Sequence, residues 1–243
     1  MPKHSEAIFR FRQFVVCQQQ SAMKICTDSL LFGAMAPLTA GCHVLDIGCG
    51  TGLLALMVAQ QGAAKVTAVE LFAAAYQEAA DNFANSPWAE QLSAVCGDIR
   101  CISGLERSYD LIISNPPFFD NHQPSLDKAR CAARHNGQLG YAELLVCAHD
   151  YLADNGLFYV LVPTHAVAKF HRLASLSGWH LNKRTDFQGR VDLKAKVAAL
   201  CYAKQRGDER RREVVVVYSS HNVYSETAAR YLSPYLLRFE RTP

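Results

Sequence analysis

The sequence is poor in the features that mark many protein classes. No stretch of roughly 18 uncharged apolar residues occurs in it, and the amino terminus, Met1-Pro-Lys-His-Ser-Glu6, lacks the charged-then-apolar order of a secretory signal. Nothing directs the chain into or through a membrane, and the cytoplasm is the expected location. The nine cysteines (17, 26, 42, 49, 96, 101, 131, 147 and 201) never form a Cys-x-x-Cys pair, which argues against zinc ribbons, iron–sulfur clusters and a disulfide framework. No closely spaced His, Asp and Cys residues suggest a metal, so a metal hydrolase is not expected. Charge of neither sign dominates: 25 Lys and Arg stand against 22 Asp and Glu, and a net +3 is too small to indicate a polyanionic partner by itself. Internal repeats and low-complexity segments are absent as well.

What remains is the composition of an ordinary α/β domain, with 50% apolar and 19% charged residues across 243 positions. From residue 43, short β-rich runs (43–47, 66–70, 92–96, 110–114 and 157–162) alternate with helical stretches at 52–61, 72–84 and 141–153. That order predicts repeated βα units and a Rossmann-like, doubly wound, mostly parallel sheet of seven strands covered on both faces. After a helical 164–177, β-type runs at 179–187, 197–203 and 213–218 complete one edge of the sheet or extend it with an extra strand. Residues 204–213 are charged, contain Gly207, and read as a solvated loop.

The first 40 residues follow a different pattern. Phe9 to Phe14 alternates like a short strand, and Thr27-Asp28 reads as the cap of a helix from Ser29 to Ala36, stopped before Pro37. We divide the chain into an extension, 1–40, laid across the top of the sheet, and a main domain, 41–243. A monomer with no obligate protein partner is expected.

Asp46-Ile-Gly-Cys-Gly-Thr-Gly52 lies where the first central strand hands over to its helix. Glycines there let the backbone turn sharply and let a ligand approach without meeting a Cβ, while the helix start offers N–H donors. The Gly-x-Gly-x-Gly spacing is tighter than that of the dinucleotide loop, which counts against a dehydrogenase. Glu70 ends the second strand about twenty residues on, where an acid chelates ribose hydroxyls. Asp98 follows the third strand and can accept from an adenine amine. Each acid alone could be a cap or a surface residue; three in order at successive strand ends read as an adenosine pocket.

The fourth strand ends in Ser114-Asn-Pro-Pro-Phe118. Proline fixes its own φ and pushes the preceding residue out of the helical region, so Asn115 and Pro116 are both held extended. An exocyclic amine is a poor nucleophile because its lone pair is delocalised. Two acceptors against its hydrogens, the Asn115 side-chain oxygen and the Pro116 carbonyl, would favour a pyramidal nitrogen and stabilise the developing charge without an ionised base. Pro116 and Pro117 are then the scaffold, and Phe118 offers a face for a base to stack on. Standing alone, the stretch could be a turn before two core phenylalanines; after the adenosine pocket it reads as a catalytic elbow. DNA, RNA and protein glutamine all remain open as acceptors.

These ordered motifs resemble those of class I S-adenosylmethionine-dependent methyltransferases, in the amino-methylating branch with an Asn-Pro-Pro-aromatic site. The resemblance implies that Asp46, Gly48, Gly50 and Gly52 face the methionine half of the cofactor, Glu70 the ribose and Asp98 the adenine, with Asn115 reaching both cofactor and acceptor. The flanks resemble a narrower family, the bacterial tRNA(Val) adenine-N6 methyltransferases, through Phe11-Arg-Gln-Phe14, Ala22-Met-Lys-Ile-Cys-Thr-Asp28, Leu31-Phe-Gly-Ala34, Asn85-Ser-Pro-Trp88, Gly178-Trp-His180 and Tyr224-Ser-Glu226. That resemblance implies methylation of N6 of adenine 37 beside the anticodon, tRNA as partner, S-adenosylhomocysteine as product, and closure over the methionine end by Lys24, Thr27 and Asp28. Phe118 stands where such motifs more often carry tyrosine, which keeps the stacking face and removes a hydroxyl.

Two basic groups are assigned to RNA phosphates at the rim of the active cleft: Lys128, Arg130 and Arg134 beyond the elbow, with His135 stacking or hydrogen-bonding a nucleotide, and Arg206, Arg210, Arg211 and Arg212 in the later loop. The rival acceptor is a protein glutamine, and the rival from another class is a noncatalytic RNA-binding module. An intact Asn115 and an intact glycine loop weigh against the latter.

Overall fold

The computed structural model describes residues 8–19, 24–117, 139–207 and 211–239. Its centre is an eight-stranded sheet of β3 (His43–Ile47), β4 (Lys65–Glu70), β5 (Leu92–Cys96), β6 (Tyr109–Ser114), β7 (Leu152–Pro163), β8 (His180–Gln188), β9 (Val197–Ala203) and β10 (Arg211–Val216). The spatial order is β10-β8-β9-β7-β6-β3-β4-β5. Strands β5, β4, β3, β6 and β7 run parallel, β9 is antiparallel to both β7 and β8, and β10 pairs parallel with β8. The expected seven strands are therefore present, and the extra C-terminal strand joins as an edge.

Alternation along each strand builds two cores. Val44, Leu111, Ile113, Leu161 and Ala199 face one side, where α1 (Thr27–Ala34), α2 (Leu53–Gln60) and α6 (Glu226–Leu232) cover them. Leu45, Ile112, Val160, Val162 and Leu200 face the other, under α4 (Tyr141–Tyr151) and α5 (Val167–Leu176). Central strands buried on both faces read as continuous apolar runs, which is why their positions were legible in the sequence. Helix α3 (Ala73–Ala84) closes the β4–β5 edge.

The amino-terminal hairpin of β1 (Ile8–Arg10) and β2 (Val15–Cys17) is sewn to the main body. Phe14 and Val16 enter the first core, Phe11 stacks on Phe14 at 4.3 Å, and Arg12 N donates to Tyr235 O. Asn82 of α3 accepts from Cys17 N and donates to both Cys17 O and Thr51 O, tying the hairpin to the glycine loop.

Two local expectations are corrected. Helix α1 begins at Thr27, not Ser29: its cap is Cys26, whose N–H donates to Ser29 Oγ while that hydroxyl donates back to Cys26 O. Residues 211–213 are not loop but open β10, because their charges find partners across the sheet: Arg212 on Asp186, and Glu213 on Lys183 and Thr185. Among the described residues no helix is long and apolar enough to cross a membrane.

Candidate active site

Parallel strands bring Asp46, Glu70 and Asn115 to one edge of the sheet, where the carboxyl ends of β3, β4 and β6 lie side by side. Asp46 is in register with Ile113, so Gly48 and Asn115 emerge from neighbouring strands about 5 Å apart. Ser114 Oγ, buried, donates to Ile47 O at 2.8 Å and holds the two exits together.

The glycine loop is drawn into shape by the next strand. Gly48 and Cys49 N–H groups donate to Val69 O, and Gly50 N donates to Glu70 Oε2 at 2.9 Å. Glu70 Oε1 accepts from Phe72 N at 3.0 Å. Gly52 has φ 77° and a Cβ built there would lie 2.3 Å from the Phe83 ring, so only glycine fits. Gly48 has φ 72° but open space where its Cβ would be, a cradle that a side chain would fill.

The electrostatics are unusual for a folded interior. Asp46 is fully buried, and neither of its carboxylate oxygens has a hydrogen-bond partner. Burial, then the charge of Glu70, push its pKa up to about 8; the Ala55 amide in the first turn of α2 opposes this only weakly. The same burial, with Asp46 and Glu70, holds the Cys49 thiol far above its ordinary value. Asn115 Oδ1 is likewise buried without a partner, while its neighbour Pro116 is buried and Pro117 exposed. Of the four such orphan atoms among the described residues, three belong to these two side chains. Buried polar groups are normally paired, so the concentration of exceptions at one strand edge marks a place built for a ligand.

Asp98 is clamped by Arg100, which donates through Nε at 2.9 Å to Oδ1 and through Nη2 to Oδ2, while Nη1 reaches Glu143 Oε1 at 3.1 Å. The guanidinium hydrogen bonds hold the Asp98 carboxyl below its usual range. Arg100 N also donates to Oδ1 at 3.0 Å and Nε is shared with Oδ2 at 3.0 Å, so each oxygen already accepts two contacts from Arg100. Lys24 Nζ donates to Gln18 O, Thr27 Oγ1 pairs with Tyr218 OH at 3.0 Å, and Asp28 lines a cleft at the carboxyl end of β7 together with Lys196. Burial raises the Asp28 carboxyl and Lys196 draws it back.

The acceptor-rich cradle fits a cationic nucleoside. Asp46, Glu70, Asp98 and Asn115 Oδ1 offer carboxyl and amide oxygens, suited to hydroxyls, an amine and positive charge; a pyrophosphate would be repelled. Sequence reading missed Phe72, 60% exposed two residues after Glu70, and Asn82, which braces the loop. An aromatic following the strand-ending acid was a visible signal; Asn82 carried none.

The basic residues divide. Phe118, Lys128, Arg130, Arg134, His135 and Arg210 lie outside the described residues. Arg206, Arg211 and Arg212 are not at the rim of this cleft, which corrects their expected position. Strand β9 is antiparallel to β7, so its end and the start of β10 return to the opposite edge, where Lys204 Nζ donates to Leu152 O at the amino end of β7. Arg212 is committed to Asp186.

Comparison with known proteins agrees with this architecture. Residues 21–173 match the methyltransferase small domain family. The chain is 37% identical over 234 residues to a tRNA1(Val) (adenine(37)-N6)-methyltransferase of Yersinia pestis (strain Pestoides F), covering 95% of this chain and 94% of that one. It is 42% identical over 182 residues to a protein of the same name from Bacteroides fragilis, covering 74% and 77%. A solved structure of a predicted O-methyltransferase from Agrobacterium tumefaciens superposes with a TM-score of 0.64 over 84% of this chain and 94% of the other; at 13% identity that is a likeness of fold alone. The chain belongs to the methyltransferase small domain family and, within it, to the family of the tRNA1(Val) (adenine(37)-N6)-methyltransferases.

Proposed function

We propose that the protein methylates the exocyclic N6 of adenine 37 in tRNA(Val), acting in the cytoplasm. The observation that carries the chemistry is the buried, unpartnered Asn115 Oδ1 beside the glycine cradle. The cofactor is S-adenosyl-L-methionine, which when bound supplies a methyl group made electrophilic by a sulfonium. Gly48 and Gly50 leave room for its methionine half, while Gly52 shapes the loop against Phe83; Asp46 lies beneath them, and Lys24, Thr27 and Asp28 border that end. Glu70 takes the ribose hydroxyls on its remaining lone pairs, Asp98 the adenine amine, and Phe72 a face of the adenine ring.

The acceptor adenine reaches the elbow with its amine between Asn115 Oδ1 and the Pro116 carbonyl. Both oxygens accept an N–H, so the nitrogen lone pair is withdrawn from the ring and aimed at the methyl group as positive charge grows on nitrogen. The two prolines fix those acceptors before the acceptor base arrives, so little reorganisation remains to be done in the transition state. An anticodon-loop adenine is partly unstacked already and costs less to extrude than a base in a duplex. Agreement with the curated relatives along 95% of the chain supports tRNA over a protein glutamine as acceptor.

The direct test is incubation of the purified chain with methyl-labelled cofactor and separated acceptors. Label should appear as N6-methyladenine in tRNA(Val) at position 37. Label in a glutamine-bearing release-factor peptide but not in tRNA would reject the acceptor.

A further inference from the structure

The reading above draws on only Asp28 of the cleft on the far side of the elbow. It holds about 670 Å³ and is walled by Asp28, Thr164, His165, Leu193, Lys194 and Lys196. Strand order fixes its position. Strand β6 has β3 on one flank and β7 on the other, with Ser114 opposite Val160. Continued past the strand ends, that register sets Pro117 level with Pro163. The elbow therefore has the glycine cradle on one side and the Pro163–His165 turn, with this cleft, on the other.

We propose that the cleft takes the phosphodiester backbone of the RNA strand flanking the target adenine, with Lys194 and Lys196 as its phosphate contacts. The proposal rests on the tRNA reading above and adds the route by which the strand leaves the elbow. The turn joining β8 and β9, residues 189–196, rises at the carboxyl edge because β8 ends and β9 begins there. It carries three cations and one acid. Arg190 and Asp192 satisfy each other at 2.7 Å, which leaves Lys194 and Lys196 as its excess charge. Both lysines are exposed, and neither lies within ion-pair distance of a carboxylate among the described residues; Lys196 acts on Asp28 only at longer range. Beside them Val191 is 81% and Leu193 47% exposed, apolar contacts of the kind that sugars and base faces cover. A planar amine seated at the elbow with anionic links on either side of it is what a nucleotide strand offers. An acidic peptide would meet the lysines but would not supply that amine.

The test uses the full chain and compares wild type with K194A/K196A and with K194E. Affinity for tRNA is measured across salt concentration, alongside cofactor affinity and the thermal midpoint. Loss of two single-strand phosphate contacts should weaken tRNA binding about tenfold at moderate salt and reduce the slope of log affinity on log salt by about 1.4. K194E should weaken it severalfold, and cofactor affinity and midpoint should stay at wild-type values in both. Wild-type tRNA affinity and slope in the double variant, in preparations where the wild type methylates tRNA, would overturn the cleft assignment alone. A poly-glutamate competitor that displaces tRNA from the wild type as effectively as unlabelled tRNA would transfer the cleft to an acidic peptide and overturn it too. A wild-type chain that does not methylate tRNA overturns the functional reading and this route with it.

Discussion

Asp46 on a central strand and Asp186 on the strand next to one sheet edge are both almost wholly shielded from water, and they have opposite surroundings. Asp186 on β8 accepts from Arg184 at 2.6 and 2.8 Å and from Arg212 at 3.0 and 3.1 Å, four donors for one carboxylate. Asp46 on β3 accepts from none. A buried charge with its partners in place belongs to the fold, whereas one left unpaired costs several kcal/mol or gives up its charge, and persists where something else uses it. The molecule is complete at the β8–β10 edge and incomplete at the carboxyl ends of β3 and β6.

The strongest way to break that comparison is Asn115→Ala. If the orphan amide oxygen is the acceptor for the reacting amine, kcat should fall by about 100-fold or more. Affinity for tRNA should stay within about threefold, a split read by single-turnover methylation beside filter binding. A methylation rate close to wild type would remove Asn115 from the chemistry.

The glycines sharpen the contrast between structural and ligand-facing positions. Gly52→Ala drives a Cβ into Phe83 and should cost about 3 kcal/mol or more in urea denaturation. Gly48→Ala meets only open space, so about 1–2 kcal/mol of backbone strain is expected, yet cofactor binding by calorimetry should be lost.

The two aspartates make a matched pair. Asp186→Ala should cost about 2 kcal/mol of stability and leave cofactor affinity unchanged, since it strands two arginines far from the cradle. With its pKa pushed up to about 8, Asp46 keeps its proton in the folded chain where the unfolded chain, at about 4, has released it. Its contribution is therefore fully present below about pH 4 and lost as pH rises towards 8. Asp46→Asn should lose less stability than wild type between pH 5 and 8, by up to about 1.4 kcal/mol per pH unit from this group. Identical denaturation profiles would mean that Asp46 is ionised in the folded protein. The smallest effect belongs to Arg206→Ala, at the amino edge of the sheet: tRNA affinity within about twofold of wild type.

Much of this was legible because parallel strands announce themselves as apolar runs and glycine loops as spacing. The runs ending at Ile47, Glu70, Cys96 and Ser114 were each placed within a residue or so, and the Asn115 elbow followed from its prolines. The cap of α1 was missed because Cys26 is a poor capping residue by type and works here through Ser29. The fate of Arg211 and Arg212 was missed for a different reason. A charged stretch reads as solvated unless its partners are known, and Asp186 is twenty-six residues from Arg212 in the chain.

The sequence by itself determined the order of the parts: which strand carries the glycine loop, which the acids, and which the rigid amide corner. Those follow from local constraints, the fixed φ of proline, the freedom of glycine and the period of side chains along a strand. Only the tertiary structure decided who meets whom. Strand order set Asn115 beside Gly48, reversed β9 so that the arginine stretch left the cleft and the lysine turn entered it, and left Asp46 without a partner. Those outcomes depend on pairing between segments far apart in the chain, which no local pattern encodes.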